Sequence, residues 1–310
     1  MVTIKKRIII ILIIITGFIL FTVLNKEDIP TEPAKQLLQD EVENKDDTTA
    51  SKEDTEQDKK EVSEVVGNED PVKDFLSDKF KKAIDFFFTQ DIKVVTLGDS
   101  LTEGSGDETK NGGYVGVLDD TINQDRQIVE FQNFAKRGSQ SSQLLHRLED
   151  DDVRLALADA DIVLITIGAN DIMHIFKENF TDLTLDKFTS EQIRYEQRLE
   201  KIFLTIREIN EDADVYLIGF YNPFREYFAD VEELEYIVES WNQIGSDVTL
   251  EFEYTYFIPI KDIFDHAETN YFAEDKFHPN SLGYRKMAER ILQYVLNEGE
   301  SNVQTEETIE

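Results

Sequence analysis

The sequence predicts an α/β fold, a three-layer α/β/α sandwich around a five-stranded parallel sheet. Three observations carry this. Five short apolar runs of strand length recur between residues 92 and 260. Stretches with apolar residues at helical spacing lie between them. Strictly alternating units of this kind make parallel strands, and a parallel sheet needs helices on both faces.

The elements follow in order. "PVKDFLSDKFKKAIDFFF" (71–88) has apolar residues at helical spacing and reads as a leading helix. Strands are expected at 92–97 (IKVVTL), 127–134 (QIVEFQNF), 161–167 (DIVLITI), 214–220 (DVYLIGF) and 254–260 (YTYFIPI). Helical stretches fall near 140–158, 190–210 and 230–250, and a last one covers 281–297. Periodicity alone does not give the strand order.

The ends of the chain differ from this middle. Lys5, Lys6 and Arg7 precede an uncharged apolar run from Ile8 to Leu24, within the length of about 17–25 residues that crosses a bilayer. A cleaved signal has a shorter apolar region and a small-residue cleavage site. Here Asn25, Lys26, Glu27 and Asp28 follow instead, and no cysteine is present for lipid attachment. An uncleaved membrane anchor over 1–25 is therefore expected. Its basic end would stay cytoplasmic and the rest of the chain would lie outside the cell. Residues 26–70 are dominated by Glu, Asp, Lys, Thr and Gln, with no aromatic residue. Such a segment cannot bury enough surface to offset its ordering entropy and reads as an acidic disordered linker. A folded domain over 71–298 and an acidic tail over 299–310 complete the expected organisation.

Composition excludes several classes of function. Acidic residues outnumber basic ones 65 to 32, giving a formal net charge of −33. This balance argues strongly against nucleic acid or another polyanion as a partner, because phosphate contacts need clustered Lys and Arg. The chain has no cysteine and four histidines, so thiolate catalysis, disulfides and Cys-ligated metal centres are excluded.

The chemistry is sought where strands end, because ligands of open α/β sheets collect at their carboxyl edge. The first strand runs into "GDSLTEG". Gly98 permits a sharp turn, and Asp99, Ser100 and Thr102 follow at the opening loop. On their own these residues also suit an ordinary capped turn. A serine nucleophile needs a base, a group that fixes the base's tautomer, and donors aimed at the oxyanion. After the second strand, "NFAKRGSQSS" places Gly138 before a helix start, where its backbone N–H can approach a ligand. After the third, "TIGANDIMH" places Asn170 one turn on, with an amide able to donate. "AEDKFHPNSLGY" sets Asp275 and His278 three apart in the loop before the last helix. That spacing lets the carboxylate reach Nδ1–H while Nε2 points toward the serine. Singly, Asn170 reads as a turn or capping residue, Gly138 as a turn glycine, and the Asp–His pair as common surface chemistry. Together, at the ends of different β units, they read as one site.

"GDSLTEG", "NFAKRG", "GAND" and "DKFHPN" resemble, in order and separation, the four blocks of the SGNH hydrolases, or GDSL esterases and lipases. The resemblance covers about 91–297 and is nearest to bacterial membrane-tethered lysophospholipase-like members, in which a segment like "GFYNPF" also occurs. It implies a flavodoxin-like sandwich with strand order 2-1-3-4-5 and no metal or cofactor. It implies catalytic roles for Ser100 as nucleophile, His278 as general base and acid, and Asp275 as the group that orients it. The implied oxyanion hole is Ser100 N–H, Gly138 N–H and the Asn170 amide.

Other residues carry less. Lys136 and Arg137 stand where the family pattern suggests neutral residues, and read as solvated surface rather than substrate-steering charge. His174, four residues after Asn170, is placed to line a pocket wall but reads rather as a bystander, and His146 and His266 lack a partner pattern. The aromatic "NPFREYF" fits either an apolar rim for an acyl chain or ordinary packing. The expected activity is hydrolysis of carboxylic acyl esters, lysophospholipid or other lipid esters first. An O-acetyl ester on a cell-envelope glycan is the alternative, and an inactive tethered binding module is an alternative of another class.

Overall fold

A computed structural model describes residues 92–306, apart from 125, 180–183, 229–230 and 266–268. The expected anchor, linker and leading helix lie outside the described residues. Among the described residues no helix is long and apolar enough to cross a membrane.

Five strands form one sheet: β1 (Ile92–Gly98), β2 (Val129–Asn133), β3 (Ile162–Thr166), β4 (Asp214–Ile218) and β5 (Thr255–Ile258). They pair in parallel in the order β2-β1-β3-β4-β5. The sequence explains which strands are central. β3 reads IVLIT and every residue of it is buried, which requires cover on both faces. β2 reads VEFQN, with only Val129 buried, as befits a sheet edge.

The helices are α1 (Ser100–Glu103), α2 (Gly113–Ile122), α3 (Ser141–Arg147), α4 (Asp151–Ala158), α5 (Ala169–Glu178), α6 (Leu185–Ile209), α7 (Arg225–Phe228), α8 (Glu232–Thr249), α9 (Lys261–Asp265) and α10 (Ser281–Glu306). α2 packs on α10, while α6 packs on α3, α4, α5 and α8. In α6, Phe188, Tyr195, Leu199, Ile202, Phe203 and Ile206 recur at helical spacing and are all buried. Tyr195 and Phe188 lie 6.1 and 6.4 Å, ring centre to ring centre, from fully buried Trp241 of α8.

Three differences from the sequence reading have physical causes. The stretch 140–158 is two helices, broken where Glu149 and Asp150 precede the acidic first turn of α4. α10 continues through Glu306, beyond the expected end at 297, since "NEGESNVQTE" has no proline to stop it. α2 and α5 were not expected. α2 opens on two glycines, a poor helix signal, and α5 opens on Asn-Asp, which also suits a turn.

β1 ends at Gly98, whose φ of +137° favours glycine. A Cβ there would sit 2.2 Å from the Thr166 carbonyl oxygen of neighbouring β3. Gly98→Ala is therefore expected to cost about 3 kcal/mol or more. Thermal unfolding reads this directly; an unchanged melting temperature would show that the turn relaxes freely.

Candidate active site

The carboxyl edge of the sheet gathers four loops. β1 delivers Ser100 as the first residue of α1, with Asp99 as its N-cap: Leu101 N–H donates to Asp99 Oδ1 at 3.0 Å. Beyond β2 the chain keeps hugging β1, with Phe134 N–H donating to Thr96 O (2.8 Å) and Lys136 N–H to Gly98 O (3.0 Å). This holds the turn carrying Gly138 at the carboxyl end of β1. Gly138 has φ +75° and open space around it, so glycine is needed there for its backbone angle and not for room. β3 pairs Thr166 with Gly98 and leads into α5, which places Asn170 in its first turn.

The loop before α10 folds on itself. Ala273 N–H donates to His278 O at 2.9 Å and Asn280 N–H to Tyr271 O at 2.8 Å. Within it Lys276 takes a left-handed φ of +51°, and the following Phe277 and His278 N–H groups donate to Asp275 Oδ1 at 3.0 and 2.9 Å. Asp275 Oδ2 lies 2.6 Å from His278 Nδ1, and His278 Nε2 lies 3.0 Å from Ser100 Oγ. Residues 178 positions apart in sequence thus share a hydrogen bond. Ser100 and His278 are both buried.

The carboxyl groups differ in environment. Burial alone would raise Asp275, but the His278 ring and the two backbone N–H donors outweigh it and hold it at about 2. Asp99 is pushed up to about 6 by burial, a rise limited by the bonds from Leu101 and Thr166. Asp275 therefore stays ionised beside the imidazole throughout the neutral range.

The sequence-predicted Ser100, His278, Asp275, Gly138 and Asn170 are all brought to this edge. The other histidines are not: His146 and His174 are exposed and face Glu149 (3.1 Å) and Glu178 (3.4 Å), and His266 lies outside the described residues. Lys136 and Arg137 are exposed. The 220–228 segment has two roles. Phe224 packs on Phe176 at 5.0 Å, while Phe220, Tyr221 and Pro223, with Phe277 and Asn170, wall a cavity of about 10 Å³ beside Ser100. A much larger cavity, about 560 Å³, lies between α2 and α10 and includes none of these residues.

Several supporting residues carry no nucleophile, base or metal-ligand signature in the sequence. Tyr221 and Tyr227 hydroxyls donate to the carbonyls of Phe277 (2.7 Å) and Asp275 (3.1 Å), bracing the histidine loop. Buried Asp171 accepts from Ser141 Oγ (2.7 Å) and Arg198 (3.1 Å), tying the start of α3 to α5 and α6. Asp171 lies in "GAND", Tyr221 in "GFYNPF" and Tyr227 in "NPFREYF", the stretches that held what signal there was for them.

A parallel α/β sandwich with a serine, a histidine and a carboxylate linked at its carboxyl edge has the architecture of a serine-type hydrolase. The family model for the GDSL-like Lipase/Acylhydrolase family matches residues 96–286, and the chain belongs to that family. It is 38% identical over 212 residues to the uncharacterized protein YpmR of Bacillus subtilis (strain 168), covering 67% of this chain and 83% of that one. It is 28% identical over 216 residues to the spore germination lipase LipC of Bacillus licheniformis, covering 64% of this chain and 94% of that one. Among solved structures, the lipase Lip_vut3 from a goat rumen metagenome shares the fold, with a TM-score of 0.56 and 23% identity over 64% of this chain and 95% of that one. Family membership makes the protein a carboxylic ester hydrolase, whose substrate is a carboxylic acyl ester.

Proposed function

We propose that the protein hydrolyses acyl esters through an acyl-Ser100 intermediate. The observation that carries this is the continuous Ser100–His278–Asp275 hydrogen-bond chain at the end of β1. Ser100 Oγ attacks the carbonyl carbon as its proton passes to His278 Nε2. The tetrahedral oxyanion is held by the Ser100 and Gly138 N–H groups and the Asn170 amide. Ser100 N–H is available because the first N–H groups of a helix have no intrahelical acceptor. Collapse expels the alcohol, protonated from Nε2, and leaves the acyl group on Oγ. A water, deprotonated by His278, then attacks the acyl carbon and releases the acid. Asp275 fixes the tautomer and steadies the imidazolium.

For the substrate, the reading is a lipid ester of the lysophospholipid kind. The aromatic wall of Phe220, Tyr221 and Phe277 beside Ser100 favours an acyl chain, and a relative is named a lipase. One observation favours the second reading, an O-acetyl ester on a glycan. The cavity of about 10 Å³ has room for little more than one water, so a long chain requires the aromatic wall to move or the chain to lie along the surface. A p-nitrophenyl ester series from acetate to palmitate decides between them. A kcat/KM that rises with chain length supports the lipid reading, and activity confined to acetate and propionate overturns it.

The Asn170 role has its own test. Asn170→Ala is expected to lower kcat by roughly 100- to 1000-fold with little change in KM, because an oxyanion donor acts mainly in the transition state. A stable variant with near wild-type kcat would remove Asn170 from the site.

The domain reading is an anchor over 1–25, a linker over 26–70, the hydrolase domain over 71–298 and a tail over 299–310, with the domain held outside the cell membrane. A chain of net charge −33 is repelled by anionic headgroups, so a tether would keep it near a lipid substrate. The protein is expected in the membrane fraction after a high-salt wash, with Met1 or Val2 at its mature end. A secreted form beginning near residues 25–30 would overturn the anchor.

A further inference from the structure

The Asn170 amide donates two hydrogen bonds within the site. Its Nδ2 donates to the Ser139 carbonyl at 3.1 Å and to Asp99 Oδ2 at 3.4 Å. A primary amide has two N–H donors, and two acceptors face them here. The bonds are unequal: the first has ordinary length and the second is long and correspondingly weak.

The Asp99 carboxylate is held firmly on its other side. Only 1% exposed, it accepts at Oδ1 from Leu101 N–H (3.0 Å) and Thr166 Oγ1 (2.9 Å). Thr166 Oγ1 meets Thr102 Oγ1 at 2.8 Å, which meets the Tyr114 hydroxyl at 2.7 Å. This buried chain fixes the carboxylate plane and leaves Oδ2 aimed at Asn170. Both neighbours of the amide are pure acceptors, so its NH₂ end faces them. A side-chain amide without such neighbours can turn over and present its oxygen, which would repel an oxyanion.

We propose that Asp99 is a positioning residue that keeps the Asn170 NH₂ end turned toward the oxyanion site. It lends its acceptor through the long bond and yields that hydrogen to the substrate oxygen as negative charge develops. The inference rests on the reading of Asn170 as an oxyanion donor and extends it to a residue that need not touch the substrate.

The test is a double-mutant cycle between Asp99→Asn and Asn170→Ala in the full chain. It is assayed with a p-nitrophenyl ester at pH 8, where the Asp99 carboxyl, pushed up to about 6, is ionised. In Asp99→Asn the new amide satisfies Leu101 and Thr166 with its oxygen and sets an NH₂ against the Asn170 NH₂. The expected result is a kcat about 10- to 100-fold lower, part of the loss from removing a donor outright, with KM unchanged. In the Asn170→Ala background the same change should add no further loss. An equal loss in both backgrounds, or a wild-type kcat in folded Asp99→Asn, overturns the proposal. Near wild-type kcat in Asn170→Ala alone overturns the underlying reading instead. Should Asp99→Asn fail to fold, Thr166→Val loosens the same carboxylate. A smaller kcat loss that vanishes in the Asn170→Ala background supports the proposal, and one that persists there overturns it.

Discussion

Ser100→Ala is expected to lower kcat by about a million-fold, the scale seen when a serine nucleophile is removed from a hydroxyl–imidazole–carboxylate site, while leaving the fold intact. The contacts predict both halves. Ser100 Oγ meets His278 Nε2 at 3.0 Å, so its loss removes the attacking atom. The imidazole keeps its bond to Asp275 at 2.6 Å and the loop keeps both backbone donors to that carboxylate. The N-cap bond of α1 comes from Asp99 and is untouched. The melting temperature should therefore match wild type. Covalent labelling by a fluorophosphonate should disappear with the activity, since that reagent needs the same oxygen. Turnover or labelling that persists in the alanine variant would assign the nucleophile elsewhere.

Ser100 and Asn170 were legible in the sequence because each follows closely on a strand that its own apolar run reveals. IKVVTL ends beside Ser100 and IVLIT ends shortly before Asn170, and the structure places those strands at Ile92–Gly98 and Ile162–Thr166. His278 and Asp275 were readable as a pair because their contact spans only three residues. What stayed hidden depends on contacts between distant units. Asn170 meets Ser139 and Asp99, 31 and 71 positions away, and no local pattern announces either partner. Read locally, Asn170 suits a turn, whereas tertiary packing makes it the first turn of a helix. The aromatic "GFYNPF" stretch was ambiguous for the same reason. Its residues divide between core and cavity according to which neighbours they meet, and one-dimensional hydrophobicity does not carry that division.

Asp275→Asn is expected to lower kcat by about 10,000-fold, as in other serine hydrolases whose orienting carboxylate is neutralised. In the wild type, Oδ1 is committed to the N–H groups of Phe277 and His278, and Oδ2 receives Nδ1–H. An asparagine keeps the backbone bonds with its carbonyl oxygen and must set its NH₂ group against Nδ1. The imidazole then shifts its proton to Nε2, and the atom that should accept the Ser100 proton becomes a donor instead. Geometry is preserved while the tautomer is wrong, so KM should change far less than kcat. The same substitution carries a stability signature with a fixed sign. Asp275 is depressed from 3.8 to about 2 in the folded chain. Its stabilising contribution is therefore complete above about pH 4 and is lost as pH falls toward 2. The asparagine variant cannot titrate at this position, so its stability should fall less steeply than wild type across that window. Equilibrium unfolding at a series of pH values, beside kcat at pH 8, tests both halves. If Asp275→Asn keeps its turnover, the carboxylate serves only to fold the loop; if its acid unfolding matches wild type, the His278 contact does not hold the group ionised.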